Sequence, residues 1–421
     1  MNEVYDPFGE HILADPFPYY RRLRRESPVY FAETSGFYCV ARYEDVFEIL
    51  RDPEHYSSDA TRFVANGAAP AVDFASKLKL VAQTLPLALR NPRVARVMTA
   101  KNMLSLDPPE HGRMREIVNR GFTPRRVREW EPRIRELAES LAASMLDKAS
   151  FDFVAEFAVP LPVTVIVEML GVDAEHASEF HHWSDRFISG LFGPRAKLGL
   201  GKSGAFEAMS WLSSHIRAVA RERRSRPRND LISVLVNAQQ EESTLTEPEL
   251  LFFAVGVLVA GNETTTRLIA AMAHELLRHP DQCEDVVKDR SLIEGVVEET
   301  LRLEGPAQLT LRRAKTSAQI ADVAIPRNAM IAVLLASANR DEQKWGDDAE
   351  TFDVKRDARG HLAFSLGPHY CLGAGLARLE ARVALETLVD ALPSLRLREP
   401  AEIAPSFVAR GIRRLELVKA T

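Results

Sequence analysis

Apolar positions along the chain recur mostly at helical spacing, with a few short alternating runs between them. Asp15-Pro16 opens a helical pattern that ends near Arg25, because a proline in the first turn gives up an amide that would have no helical acceptor. Val29-Tyr30-Phe31 and Phe37-Tyr38-Cys39-Val40 flank Ser35-Gly36 and predict a hairpin. A short helix from Asp45 to Leu50 is stopped by Asp52-Pro53. From 131 to 242 the pattern predicts successive helices: Ile134 to Leu146, Phe153 to Leu170 interrupted by Pro160 and Pro162, Ala174 to Gly190, and Ser203 to Arg226. Thr246-Glu247-Pro248 begins the longest apolar helix, reaching Arg278, and Leu292 to Glu304 forms another. Leu309 to Ala314 and Gln319 to Pro326 read as strands, Leu372 to Val389 as a helix, and Phe407 to Val418 alternates as a hairpin strand does. Residues 60–106 have no clean caps. Val64 to Ala71 reads as a small-residue loop and Phe74 to Val94 as mixed helix-like sequence, so a functional loop and a peripheral insertion both stay open.

Composition narrows the class. The chain has 421 residues, 46% hydrophobic and 27% charged, which suits a soluble globular protein with a large core. No Pro/Gly/Ser-rich linker, low-complexity run or tandem repeat divides it, so one domain over 1–421 is expected. Three cysteines, Cys39, Cys283 and Cys371, make an odd set with no framework spacing, which points to a reducing compartment. The start, Met1 to Pro7, is acidic and has no apolar core of a signal peptide, and no window offers the roughly 20 uncharged apolar residues that a bilayer span needs. Net charge −5 excludes little. Arg113, Arg120, Arg125, Arg126 and Arg128 form a basic run, but no aromatic interleaving or recognition motif supports nucleic-acid binding.

Four stretches conflict with ordinary core sequence. In Phe364-Ser365-Leu366-Gly367-Pro368-His369-Tyr370-Cys371-Leu372-Gly373 a lone cysteine stands between glycines and just before a helix. A helix N-terminus favours thiolate over thiol, and Gly367 and Gly373 let the backbone turn and approach a flat macrocycle; the plain alternative is a buried structural cysteine. In Ala260-Gly261-Asn262-Glu263-Thr264-Thr265-Thr266 an acid, a glycine and three threonines interrupt an apolar helix. Either the hydroxyls bond back to carbonyls at a kink, or Ala260-Gly261 opens a groove for a diatomic ligand with Glu263 and Thr264 delivering protons. His111 and Arg115, four apart after Asp107-Pro108-Pro109, share a helix face and could hold a carboxylate, although a solvated basic helix fits as well. Glu299 and Arg302, three apart, are spaced to pair. His176, His181 and His182 do not make a metal site, since adjacent histidines leave a helix on different faces, and they read as surface residues.

Together these stretches resemble the cytochrome P-450 superfamily. The cysteine stretch fits its signature Phe-x-x-Gly-x-(Arg or His)-x-Cys-x-Gly, and 260–265 fits its (Ala/Gly)-Gly-x-(Asp/Glu)-Thr-(Thr/Ser) pattern with Glu for Asp. Glu299 to Arg302 fits its Glu-x-x-Arg, 107–115 its C-helix, and Arg356 the third member of the Glu-x-x-Arg network. The resemblance implies a mainly α fold with small β-sheets and haem b between the 246–278 and 372–389 helices, the family's I and L helices. It implies Cys371 as axial ligand to the iron and His111, Arg115, Arg312 and His369 near the propionates, Arg313 being the competing choice for Arg312. Phe364, Gly367, Gly373, Ala260 and Gly261 would surround the cofactor. The implied activity is monooxygenation by a soluble, cytoplasmic, monomeric bacterial enzyme, with one atom of O2 entering a substrate, Glu263 and Thr264 passing protons, and ferredoxin with its reductase supplying electrons. The arginines of 113–128 with Arg378 and Arg382 would meet an acidic ferredoxin. Gly256, Val259, Ala260, Leu309 and residues 60–105 and 175–225 would set a preference for a hydrophobic substrate such as a fatty acid, terpenoid or steroid. A peroxide-driven peroxygenase is the alternative, against which the intact Glu263-Thr264 argues; a non-catalytic haem sensor is the other.

Overall fold

The computed structural model describes residues 5–59, 89, 91–192, 204–242 and 245–420. Val64 to Ala71, most of Phe74 to Val94 and residues 193–203 therefore fall outside the described residues.

Helices dominate. Near the start, α1 (Phe17–Glu26) and α2 (Tyr43–Arg51) bracket β1 (Val29–Ala32) and β2 (Phe37–Val40), which form the expected antiparallel hairpin with Tyr30 opposite Cys39. β3 (Tyr56–Ser57) follows, and then come α3 (Glu110–Asn119), α4 (Glu131–Leu146) and β4 (Ser150–Asp152). Phe153 to Leu170 divides at its prolines: a π-helical turn at Val154–Ala158 precedes a helix over Pro160–Met169, whose first turn holds Pro160 and Pro162 where amides lack helical acceptors. α5 (Ala177–Phe192) and α6 (Ala205–Ser225) lie against each other and against α7 (Glu247–Arg278).

The long helix begins where its sequence says it should. Thr246 Oγ1 accepts from the Glu249 amide while Glu249 Oε2 accepts from the Thr246 amide at 2.8 Å, a reciprocal cap that satisfies two otherwise orphaned donors. α7 runs through the main core and packs on Pro160–Met169, on α8 (Ile293–Glu304) and on α9 (Ala374–Leu388).

Among the described residues, four small sheets complete the mainly α architecture. One has the order β1-β2-β8-β5-β3, with β5 at Thr310–Ala314 and β8 at Met330–Val333; β2 and β8 run parallel and the other neighbours antiparallel. Gln319 to Pro326 is not one strand but a hairpin of β6 (Ala318–Ile320) and β7 (Val323–Ile325), reversed at Ala321, whose φ of 48° no glycine announces. Phe407 to Val418 also divides. β11 (Gly411–Arg414) pairs with β10 (Glu402–Ala404), whereas β12 (Glu416–Lys419) lies between β4 and β9 (Leu395–Leu397). Among the described residues no helix is long and apolar enough to cross a membrane.

Candidate active site

The cysteine loop is closed by its own backbone: the Cys371 amide donates to the Phe364 carbonyl at 2.9 Å. Gly367 has φ +69°, and a Cβ there would lie 2.5 Å from the Leu50 carbonyl oxygen at the end of α2, so only glycine fits. Gly373 differs from the expectation. Its φ of −86° is open to any residue, and what distinguishes it is that a Cβ would meet nothing within 4 Å. Burial pushes the Cys371 thiol up, while the amides of Gly373 and Ala374 and the charges of Arg115 and Arg378 draw it down. Those amides belong to the start of α9, the helix end the sequence placed at the sulfur.

A second cluster gathers nearby. His111 and Arg115 come from α3, Arg312 from β5 and His369 from the loop. The His111 and His369 rings lie 4.2 Å apart, and the Nε2 of each is buried with no partner among the described residues. Burial, Arg312 and His111 together push His369 down to about 3, and burial pushes Arg312 down to about 10. His111 is lowered by burial and by Arg115, so all four act on one another or on a shared neighbour. Arg313 points elsewhere, to Asn328 Oδ1 at 3.1 Å and towards Asp59. Buried donors left over beside this much cationic charge suit a ligand that brings carboxylates of its own.

On α7, Gly256, Ala260 and Thr264 follow at four-residue spacing; Gly256 and Thr264 are half-buried and Ala260 is exposed, so one face of the helix stays partly open. Val259 is half-buried beside it, and Gly261 faces Ile166, with a Cβ at ordinary contact distance of 3.7 Å. Leu309, by contrast, is buried in the amino-terminal cluster with Phe8, Phe37 and Phe407. The helix is continuous through this stretch, and Thr264 Oγ1 donates to the Ala260 carbonyl at 2.6 Å. Glu263 and Thr264 do not converge. Glu263 is buried in an ion pair with Arg267, one turn on, and Arg267 Nη1 donates to the Ile412 carbonyl at 2.7 Å. Consecutive helical residues are about 100° apart, which sends the two side chains to different faces.

Glu299 and Arg302 on α8 are both fully buried and joined by two bonds of 2.7 Å. Arg356 adds a third contact, Nε to Glu299 Oε1 at 3.2 Å, and holds Asp348 on its outer side. A second network was missing from the sequence reading. Arg378 grips Glu298 through two nitrogens, donates to Tyr370 Oη and lies 4.5 Å from the Phe364 ring, while Glu298 also meets His361. Arg382 is likewise held, by Glu131 and Glu386. Both arginines that the sequence put on the ferredoxin face are thus engaged in ion pairs within the chain. Another correction concerns His181, which is half-buried and bonded to Asn262 on α7 at 3.0 Å. No spacing rule links residues on two helices.

A thiol at the start of α9, a partly open face on α7, which packs against α9, and unfilled donors for carboxylates beside the thiol loop suit a flat, acid-bearing cofactor with a metal. Comparison decides which. The family profile described as cytochrome P450 matches residues 87–393. The chain belongs to the cytochrome P450 family. Cytochrome P450 monooxygenase PikC of Streptomyces venezuelae is 35% identical to this P450, over 97% of this chain and 92% of its own. Cytochrome P450 107B1 of Saccharopolyspora erythraea is 33% identical over 97% and 96%. The structure of CYP109E1 from Bacillus megaterium in complex with testosterone superposes with a TM-score of 0.83 at 29% identity, covering 98% of this chain and all of that one. This P450 is thus an oxygen-incorporating oxidoreductase with haem, iron protoporphyrin IX, as cofactor, carried between α7 and α9.

Proposed function

We propose that this P450 hydroxylates a hydrophobic organic molecule of fatty-acid, terpenoid or steroid type, in the cytoplasm, with electrons from a ferredoxin and its reductase. The observation that carries the reading is the partly open face of Gly256, Ala260 and Thr264 on α7, which presents two apolar positions and one hydroxyl. The steroid bound by the Bacillus megaterium relative is of the same chemical type. Residues 1–421 would act as one unit.

Haem supplies oxygen activation and substrate oxidation when bound. The residues divide the remaining work. Cys371 Sγ would ligate the iron, held by the loop bond to Phe364 and by the α9 amides. His111, Arg115, Arg312 and His369 would take the propionates, which supply the acceptors that both Nε2 atoms lack. Thr264 has committed its hydroxyl proton to the Ala260 carbonyl, so its oxygen meets the open space with lone pairs only. It would therefore accept a hydrogen bond there and hold a proton in place. Glu263 would carry protons inward by exchanging its Arg267 contact for the open face. Arg113, Arg120, Arg125, Arg126 and Arg128 would form the ferredoxin face.

The test is product formed per reducing equivalent consumed. Thr264→Ala is expected to bind substrate and consume reductant but release hydrogen peroxide, and Glu263→Gln to slow turnover with a larger solvent isotope effect. Positioned acid–base groups of this kind contribute on the order of 10²–10⁴-fold. Unchanged coupling in Thr264→Ala would sink the relay.

A further inference from the structure

Asn262 is an odd residue for the middle of α7. Asparagine is a poor helix former because its amide competes for backbone groups, yet here it is 1% exposed within the helix that carries Glu263 and Thr264. Its side chain reaches out of its own helix, and Nδ2 lies 3.0 Å from Nδ1 of His181 on α5. Its Oδ1 is buried and has no partner. The arrangement has a direction. With the amide NH2 towards the ring, as it stands here, Nδ2 donates and Nδ1 of His181 accepts, and this arrangement selects the tautomer with its single proton on Nε2. A doubly protonated ring has no acceptor and cannot keep this bond. It could bond Asn262 only if the amide turned over, which would exchange the unpartnered Oδ1 for a buried NH2 with two donors unfilled.

The charges around the ring matter for the same reason. Glu263 and Arg267 act on it from α7, Asp185 and His182 from α5 itself. On α6, Glu207 is taken up by Arg186, and on the Pro160–Met169 helix Glu168 is taken up by Arg133. Burial lowers His181 below the ordinary histidine value against the pull of Glu263 and Asp185. At neutral pH the ring is accordingly uncharged and the bond is made. A charged ring would be a second cation competing with Arg267 for Glu263.

We propose that His181 is a positioning residue for this reaction: through Asn262 it fixes the turn of α7 that carries Glu263 and Thr264, and the joint holds only while the ring is neutral. The inference rests on the relay reading above. It adds to that reading a contact from α5, a helix outside the haem cradle, and a pH below which coupling fails.

The test uses the holoenzyme. In the diamagnetic ferrous carbon monoxide form, the His181 ring is followed by NMR as a function of pH. It is expected to titrate below the ordinary value of about 6.5, and lower still in Glu263→Gln, which removes the favouring anion. Two substitutions then address positioning. His181→Phe fills the space without an acceptor and is expected to lower product per reducing equivalent several-fold at neutral pH with substrate affinity unchanged. His181→Gln offers Asn262 an uncharged acceptor at every pH; it should restore coupling and abolish the fall that the wild-type enzyme shows on acidification. A ring that titrates at the ordinary value, or is indifferent to Glu263→Gln, overturns the joint. Coupling in His181→Phe equal to wild type overturns the positioning role. The NMR titration does not involve turnover and Thr264→Ala does not involve His181, so failure of the joint and failure of the relay are separately visible.

Discussion

Arg302→Lys keeps a positive charge at a fully buried site and removes the fork that delivers it. In the wild-type protein the guanidinium makes five hydrogen bonds: Nε and Nη2 to the two Glu299 oxygens, Nη1 to the Asn339 and Ala349 carbonyls, and Nη2 to the Thr351 carbonyl. It also lies over the Trp345 ring, 5.4 Å from the centroid. An ammonium has three N–H groups pointing from one atom, so at least two of those five bonds are lost, although Glu299 Oε1 keeps Arg356 and the Asp353 amide. Hydrogen bonds to a charged group are worth about 1.5–3 kcal/mol each, so the loss comes to roughly 3–6 kcal/mol before relaxation. Against a total stability of about 5–15 kcal/mol this is severe. The assay is urea unfolding of the haem-loaded protein, followed by tryptophan fluorescence and haem absorbance. The expected result is a midpoint far below wild type with an unchanged slope. Arg356→Lys is the control. Arg356 shares Glu299 but spends its other bonds largely on Asp348, which is well exposed, and should cost much less. A wild-type midpoint in Arg302→Lys would refute the reasoning, because it would show that charge alone, without the fork, holds the loops around Asn339, Ala349 and Thr351 to α8.

Cys371→His is expected to retain some cofactor but to lose the thiolate-dependent band of the reduced carbon monoxide complex together with activity; a variant keeping both would displace Cys371 as ligand. Charge reversal at Arg120 and Arg128 should slow ferredoxin-dependent reduction at low ionic strength and not at high, as expected for screened steering, with stopped-flow reduction as the measurement. Glu380 is fully buried on α9, its Oε2 has no partner, and burial raises it from 4.5 to about 8. The folded protein thus holds a proton there that the unfolded chain has lost, and stability falls as pH rises between those values, by up to about 1.4 kcal/mol per pH unit. Glu380→Gln should flatten that decline in urea titrations at pH 6, 7 and 8, and an unaltered slope would count against it.

What could be read in the sequence was whatever depends on neighbours along the chain. The cap at Thr246, the hairpin around Ser35-Gly36 and the pairing of Glu299 with Arg302 are local, and each stands where spacing placed it. The Ala321 reversal escaped because its left-handed backbone is carried by an alanine. The ion pair of Glu263 with Arg267 was legible in principle, four apart on one helix, but an acid next to Thr264 drew attention to the hydroxyl instead. The ion pairs of Arg378 with Glu298 and of Arg382 with Glu131 escaped because those acids lie far away in the sequence, whereas Glu386, four residues from Arg382, was legible in principle. His181 looked like surface because α5 carries no mark of the helix it will rest on.

The two glycines that flank Cys371 differ in what they forbid, and this bears on how the loop could be diversified. At position 367 any side chain collides with the Leu50 carbonyl of the protein itself, so a library there should be depleted already at the step of making folded polypeptide. At 373 the polypeptide has room for a Cβ, and losses should emerge only when variants are sorted by pigment. A display screen that scores folding and colour separately would therefore divide one short motif into a residue chosen by the chain and a residue chosen by its cofactor.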